Sequence, residues 1–337
     1  MSRQKIGANK EIFGILDEYC AARNVSLTNR SSPRWIASGN RGDFIVATTL
    51  VDRMRFTATR SLACLSYRGH ILFCSVGFEE SAPPVGAAEV EVDAAHLTVI
   101  LAELKPRPVA NVFVIRNVVE ASDRESDPKY SGHDFKEVEK LFPPIQLFEV
   151  LQGNPTTWNV FFQACINECE VAGSWIDGKL SSALRSISEL AIERIPYAML
   201  CKSIFDADPG SFFLALYRCL EWLYWYASAR DVVAALKLTT PWPEVASALE
   251  DVLSWYPREE QSLVRLMELA SAADLTTVLQ LLDVPGKVYA SHSASSQAAA
   301  RRIYKLRNSL VHYRPAQQRA PFNSIDWAEL GSVPGRV

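Results

Sequence analysis

The pattern of apolar residues changes near residue 150, and this change constrains the fold more than any other feature of the sequence. Up to that point the apolar residues come in short runs rich in β-branched side chains, bounded by turn-forming stretches. The runs lie at 44–51, 71–78, 96–104 and 111–119, with polar–apolar alternation at 88–94. Runs of this kind predict strands. Beyond residue 150 apolar residues recur at helical spacing, so the sequence predicts an α+β domain followed by an all-α bundle.

Residues 1–150 form the predicted α+β domain, which has a mainly antiparallel sheet and to which we assign a recognition or regulatory role. One helix is expected before the strands, because Ile12, Ile15 and Tyr19 repeat at helical spacing. The polar stretch 120–134 is predicted to be a loop.

After residue 150 the sequence predicts a series of helices separated by prolines and glycines. They cover 156–171, 180–205, 212–237, about 241–255, 259–282 and 295–313, with a bend in the fifth at 270–273. Residues 151–205 are predicted to be a helical connector, and 206–315 a four-helix bundle. Short connections between successive helices favour an up-and-down topology. Residues 316–337 are predicted to be a poorly ordered tail.

Composition excludes several classes of protein. With 48% apolar and 22% charged residues, the 337-residue chain has enough apolar material for packed cores, which excludes disorder and a coiled-coil rod. The net charge of −3 excludes a uniformly basic surface, so any contact with phosphates must come from a local patch. The seven cysteines form no CxxC pair, and we predict reduced thiols, without disulfides or a zinc site.

The N-terminus has no apolar signal core, and no stretch approaches the roughly 18 consecutive apolar residues of a membrane-spanning helix. We therefore expect a cytoplasmic protein without membrane contact. No residue pattern indicates a cofactor or a metal cage, so we expect neither.

One segment near the C-terminus differs chemically from the rest. Between Arg301 and Arg314 there are five lysine or arginine residues and no acidic residue, in a chain that is acidic overall. On a helix, at about 100° per residue, the segment separates into two faces. The apolar stripe consists of Ile303, Leu306, Leu310 and Tyr313, and the opposite arc consists of Arg301, Tyr304, Arg307, Asn308 and His312. Such a helix packs one side against a core and presents polar groups suited to a site on the other.

From Arg307 to His312 the sequence reads RNSLVH, which resembles the Arg-x4-6-His motif of HEPN domains, with the polar residue that often follows the arginine. The motif lies on the last helix of a predicted four-helix bundle, where HEPN domains carry it. The resemblance covers about 205–315. It implies a metal-independent endoribonuclease of a toxin or antiviral-defence system, working as a homodimer whose two motifs meet at the interface. A toxic nuclease needs restraint, so an inhibitory or sensor partner protein, or the N-terminal domain, is expected to supply it.

The residue types fit cleavage of RNA by attack of the ribose 2′-hydroxyl, which leaves a 2′,3′-cyclic phosphate. Imidazole exchanges protons near neutral pH, so His312 is the expected general acid or base. Guanidinium offers a rigid, bidentate fork to the reacting phosphate, so Arg307 is expected to hold it. Asn308, one turn before His312, is expected to orient the imidazole. The residues expected to bind the RNA substrate are Tyr304, Arg301 and Lys305.

Glu221 interrupts the otherwise aromatic helical segment 217–226. HEPN domains often carry an additional polar residue on an early helix near the motif, so the resemblance implies that this carboxylate supports Arg307 or His312. The alternative is an intrahelical pair with Arg218, three residues earlier. The sequence does not choose between the two interpretations.

Two other functions stay open. One is a non-catalytic HEPN-like module that dimerises and binds nucleic acid or a partner protein. The other is an interaction scaffold, in which the basic end of the last helix is only a solvated face favoured by the helix dipole.

Overall fold

The computed structural model describes residues 4–28, 33–39, 41–79, 82–121, 130–151, 157–172, 174–189, 195–205, 208–253, 258–282, 287–312 and 325–333. The chain divides into two compact units, Met1–Ala172 and Gly173–Val337. The predicted fold class is confirmed, because the first unit holds an antiparallel sheet with helices and the second is mostly helical. The last strand ends at Val150, where the sequence pattern changes, whereas the first unit continues to Ala172. The predicted connector, 151–205, is therefore shared between the two units.

The strands of the first unit form one sheet. They are β1 (Thr49–Arg55), β2 (Ser61–Tyr67), β3 (His70–Val76), β4 (Ala87–Glu89) and β5 (Ile145–Val150). The order across the sheet is β1-β2-β3-β5-β4, and all neighbours are antiparallel. Arg68 and Gly69, both with positive φ, make the tight turn that pairs Tyr67 with His70 and fixes the register of β2 and β3.

Helices cover both faces of this sheet. They are α1 (Lys5–Ala21), α2 (Gly42–Ala47), α3 (Ala94–Leu104), α4 (Val112–Ala121), α5 (Phe135–Glu139) and α6 (Thr157–Val171), so the helices predicted near residue 12 and at 156–171 are confirmed. Ile12 of α1, Leu101 of α3 and Ile115 of α4 share a buried core with one face of the sheet. On the other face, the ring of Phe73 lies 5.9 Å from that of Phe161 on α6.

Four of the predicted strands are wrong in whole or in part. Residues 96–104 and 111–119 are the helices α3 and α4, and 44–51 contains the end of α2 before β1 begins. Of the alternating segment 88–94, only 88–89 lie in a strand, β4. Because α3 is buried along almost its whole length, its apolar run shows no helical stripe. Its start is fixed by Asp93, whose carboxylate accepts hydrogen bonds from two amides of the first turn. The sequence did not predict strands β2 and β5, which lie outside the predicted runs. Most of the predicted loop, 120–134, lies outside the described residues.

The second unit is helical throughout the residues described. Its helices are α7 (Gly178–Glu189), α8 (Tyr197–Ile204), α9 (Pro209–Leu236), α10 (Trp242–Leu253), α11 (Glu259–Met267), α12 (Ala272–Leu282), α13 (His292–Val311) and α14 (Trp327–Ser332). The helices predicted at 212–237, about 241–255 and 295–313 are confirmed as α9, α10 and α13, whereas the helix predicted at 259–282 is divided at its predicted bend into α11 and α12. The single helix predicted at 180–205 is instead two helices, α7 and α8. Proline disrupts a helix interior, and Pro196 directly precedes α8, so one continuous helix does not form.

One core joins α9, α11, α12 and α13. Its buried members include Tyr217, Leu263, Val278 and Ile303. By contrast, α10 packs against the far part of α9 in a smaller cluster around Ala229. The main core therefore includes α12, which the sequence assigned to the same helix as α11, and α14, which contributes Leu330, but not α10.

The predicted poorly ordered tail, 316–337, contains α14. Its Leu330 and Ser332 are buried, and a methyl group added to Gly331 would lie 3.0 Å from the ring of Phe212, so this segment is closely packed. The rest of the tail lies outside the described residues. None of the helices in the described ranges is long and apolar enough to cross a membrane.

Candidate functional site

The candidate site is built on α13, the helix that carries the motif. Ser291 caps its start by accepting a hydrogen bond from an amide of the first turn. Ile303 and Leu306 of the predicted apolar stripe are buried in the main core, while Tyr313, the last member of that stripe, lies outside the described residues. This packing leaves the side chain of Arg307 at the edge of the core, 24% exposed.

Polar side chains from three helices surround the Arg307 guanidinium. Its Nη2 lies 3.6 Å from Oε1 of Glu221 on α9 and 3.7 Å from Oε1 of Glu259 on α11. Its Nη1 donates a hydrogen bond of 3.0 Å to Oδ1 of Asn308. The guanidinium carbon also lies 5.7 Å from the centre of the Tyr217 ring, within range of a cation–π interaction. The hydrogen bond to Asn308 orients the guanidinium, whereas the two carboxylates lie beside it at ion-pair distance without a hydrogen bond.

Two buried tyrosines extend the cluster into the core. The hydroxyl of Tyr224 donates to that of Tyr217 at 2.8 Å, and the hydroxyl of Tyr217 donates to Oε1 of Glu259 at 2.8 Å. Burial is the main cause that raises the pKa of Tyr217 and of Tyr224 above the ordinary range. Both hydroxyls therefore stay neutral, and the chain of hydrogen bonds holds the Glu259 carboxylate next to Arg307.

His312 lies at the end of α13 and not within it. Its amide donates to the carbonyl of Asn308 at 3.0 Å, but its φ of −107° and ψ of 108° take the chain out of the helix. The imidazole is exposed, and among the described residues it makes no hydrogen bond or ion pair. Asn308, expected to orient His312, directs its Oδ1 to Arg307 instead. The structure thus brings Asn308 to the arginine of the motif and leaves the histidine accessible.

The three residues expected to bind RNA differ in exposure. Arg301 is exposed, with Nε 3.8 Å from Oε1 of Glu260, and Lys305 is exposed as well. Tyr304 is half-buried and packs against the main core. The exposed side of α13 therefore carries two cations, while Tyr304 lies at the boundary with the core.

The structure brings Glu221 to Arg307, whereas the Nη1 of Arg218, its alternative partner, donates to Sδ of Met199. Sequence reasoning missed three members of the cluster, Tyr217, Tyr224 and Glu259. For the two tyrosines a signal was present, since Tyr217, Glu221 and Tyr224 follow the 4 and 3 spacing of one helix face. For Glu259 there was none, because its position depends on how α11 packs against α9 and α13.

No group of three or more histidine, cysteine, aspartate or glutamate side chains within the described ranges is arranged to hold a metal ion. Comparison of the chain with protein-family models, with curated proteins and with solved structures found no match. The resemblance to HEPN domains therefore depends on the motif residues themselves.

Proposed function

We propose that the chain is a cytoplasmic, metal-independent endoribonuclease of the HEPN type that acts as a toxin or antiviral-defence effector. The observation that supports the proposal most is the position of Arg307. Polar neighbours surround its guanidinium, and His312, with its exposed imidazole, follows shortly after it in the sequence. A guanidinium held in this way is preorganised to receive a phosphate. An accessible imidazole is the side chain best suited to proton transfer near neutral pH.

In the proposed reaction the ribose 2′-oxygen attacks the adjacent phosphorus, and the bond from phosphorus to the 5′-oxygen of the next nucleotide breaks. The 2′-hydroxyl loses a proton and the 5′-oxygen gains one, which gives a 2′,3′-cyclic phosphate and a 5′-hydroxyl. His312 transfers one of these protons, and Arg307 stabilises the charge that develops on the phosphate oxygens. The exposed cations Arg301 and Lys305 attract the RNA backbone.

One copy of the chain supplies one arginine–histidine set, whereas the reaction moves two protons. The proposed active form is therefore a homodimer in which two α13 helices bring two His312 side chains to one site, one as base and the other as acid. An inhibitory or sensor partner, or the first unit of the chain, would restrain this activity.

The test is incubation of the purified full chain with total RNA in excess EDTA, followed by analysis of the new ends. We expect cleavage that survives chelation and leaves cyclic phosphate and 5′-hydroxyl ends. Cleavage that stops with EDTA and returns with magnesium, or that leaves 3′-hydroxyl ends, would overturn the proposed reaction.

A second candidate function is a non-catalytic HEPN-like module that dimerises and binds nucleic acid or a partner protein. The lack of a hydrogen-bonding partner for the His312 imidazole within the described residues favours it, because a catalytic imidazole is usually oriented by a neighbour. Salt-dependent binding of RNA without any cleavage would support this alternative.

A further inference from the structure

The charges around Arg307 do not balance. The guanidinium carries one positive charge, and the carboxylates of Glu221 and Glu259, which we call the carboxylate pair, carry two negative charges. The neutral hydroxyls of Tyr217 and Tyr224 and the amide of Asn308 add none. An RNA phosphate that approaches Arg307 therefore meets a group whose net charge is negative, which disfavours its binding.

The contacts between Arg307 and the carboxylate pair are long. The distances from Nη2, 3.6 Å and 3.7 Å, exceed the roughly 2.7–2.9 Å of a charge-assisted hydrogen bond. The side chains of Glu221 and Glu259 are 34% and 32% exposed, so each carboxylate has access to water. Neither carboxylate forms a short hydrogen bond with Nη2 of Arg307. Replacing a carboxylate beside the guanidinium by a phosphate therefore costs little free energy.

We propose that the carboxylate pair competes with an RNA phosphate for Arg307 and holds the free protein in a state of low affinity. The inference rests on the proposed role of Arg307 as the ligand of the phosphate. Glu259 is the stronger competitor, because the hydroxyl of Tyr217 donates to it at 2.8 Å and keeps it beside the guanidinium. Among the described contacts Glu221 has Arg307 alone as its partner, so it turns toward water more readily.

The test measures binding of a fluorescein-labelled, fully 2′-O-methylated RNA oligonucleotide, which cannot undergo attack by a 2′-hydroxyl. The dissociation constant is determined at fixed ionic strength for the full chain and for Glu259→Gln and Glu221→Gln. Glutamine keeps the size and the oxygen acceptor while removing the charge. Glu244→Gln is the matched control, since Glu244 is an exposed carboxylate on α10.

We expect Glu259→Gln to bind the methylated RNA about tenfold more tightly than the parent, because one negative charge near the phosphate is removed. Glu221→Gln should show a smaller gain, and Glu244→Gln none. Both gains should disappear when Arg307→Ala is added, because the competition is for that side chain.

The other outcomes separate the competition from the proposed function. If Arg307→Ala weakens binding but the glutamine variants bind like the parent, the competition is wrong and the role of Arg307 stands. Gains that persist in the Arg307→Ala background overturn the competition, since they reflect net charge alone. If Arg307→Ala changes nothing in any background, both the competition and the role of Arg307 are wrong. The same variants incubated with unmodified RNA report cleavage separately. The predicted binding pattern without any cleavage would contradict the proposed nuclease activity but not the competition for Arg307.

Discussion

Each unit of the molecule contains an arginine beside a buried or half-buried carboxylate. The two arrangements differ in the number of carboxylates and in their distances from the guanidinium. In the first unit, Nη2 of Arg60 lies 2.8 Å from Oε1 of Glu168, which is 1% exposed, and the other oxygen of Glu168 accepts a 2.7 Å hydrogen bond from the amide of Glu79. In the second unit, Arg307 faces two carboxylates at longer distances. A balanced pair with short contacts serves stability, whereas an unbalanced cluster at the surface is able to exchange a partner for a ligand.

The largest expected effect on stability comes from breaking the balanced pair. Glu168→Ala removes the buried charge that pairs with Arg60 and the acceptor of the Glu79 amide, so we expect the free energy of unfolding of the first unit to fall by about 3 kcal/mol. Urea denaturation followed by circular dichroism measures it. Glu18→Ala, at an exposed position on α1, is the control. A loss below about 1 kcal/mol would contradict the structural role of the pair.

A smaller effect is expected from the tyrosines of the unbalanced cluster. Tyr217→Phe removes a hydroxyl that donates to Glu259 and accepts from Tyr224, and we expect a loss of about 1–2 kcal/mol in the second unit. Thermal or urea unfolding measures it, with Tyr226→Phe as the control at a half-buried tyrosine of the same helix. If the two substitutions have equal effects, the hydroxyl of Tyr217 does not stabilise the cluster.

The smallest expected effect is the acid sensitivity of a third ion pair, in the first unit. Hydrogen bonds from Arg116 and from the amide and hydroxyl of Thr28 lower the pKa of Glu120 to about 2, with Arg116 the largest cause and burial acting against it. A lowered pKa stabilises the fold above the ordinary pKa of glutamate, and this contribution is lost as the pH falls toward 2. For a surface group we expect about 1 kcal/mol.

The measurement is the difference in unfolding free energy between the parent and Glu120→Gln, taken at several pH values from 7 to about 3. The difference should shrink as the pH falls below the ordinary pKa of glutamate. A difference that stays constant across this range would show that ionised Glu120 makes no net contribution.

The two units also differ in how far their sequence predicts them. In the second unit apolar residues recur at helical spacing between prolines and glycines, so the bounds of α9, α10 and α13 are predicted closely, whereas α11 and α12 were predicted as one bent helix. In the first unit α3 is buried on all sides, and α4 is rich in β-branched residues that favour strands. Burial hides the helical period of α3. In α4 the period is present, because Ile115 and Val119 are buried four residues apart while Phe113 is exposed, and the β-branched content favoured the wrong structure.

The candidate site was predictable to the extent that it is local. Arg307, Asn308 and His312 lie within one short stretch of sequence, and Glu221 was identified as an exception in an aromatic helix. The direction of Asn308 toward Arg307 follows from side-chain geometry that periodicity does not contain. The position of Glu259 depends on contacts between α9, α11 and α13, which are distant in sequence, and no local pattern encodes it.

The most direct test of the central claim, that Arg307 and His312 form a site for RNA cleavage, is the cleavage rate of Arg307→Ala and His312→Ala in the presence of EDTA. We expect losses of about 10²–10³-fold for Arg307→Ala and about 10²–10⁴-fold for His312→Ala. Arg307→Lys should be nearly as inactive as Arg307→Ala, because ammonium lacks the planar fork. Circular dichroism and size-exclusion chromatography should show all three variants folded and dimeric. If folded variants cleave RNA at close to the parent rate, Arg307 and His312 do not form the active site.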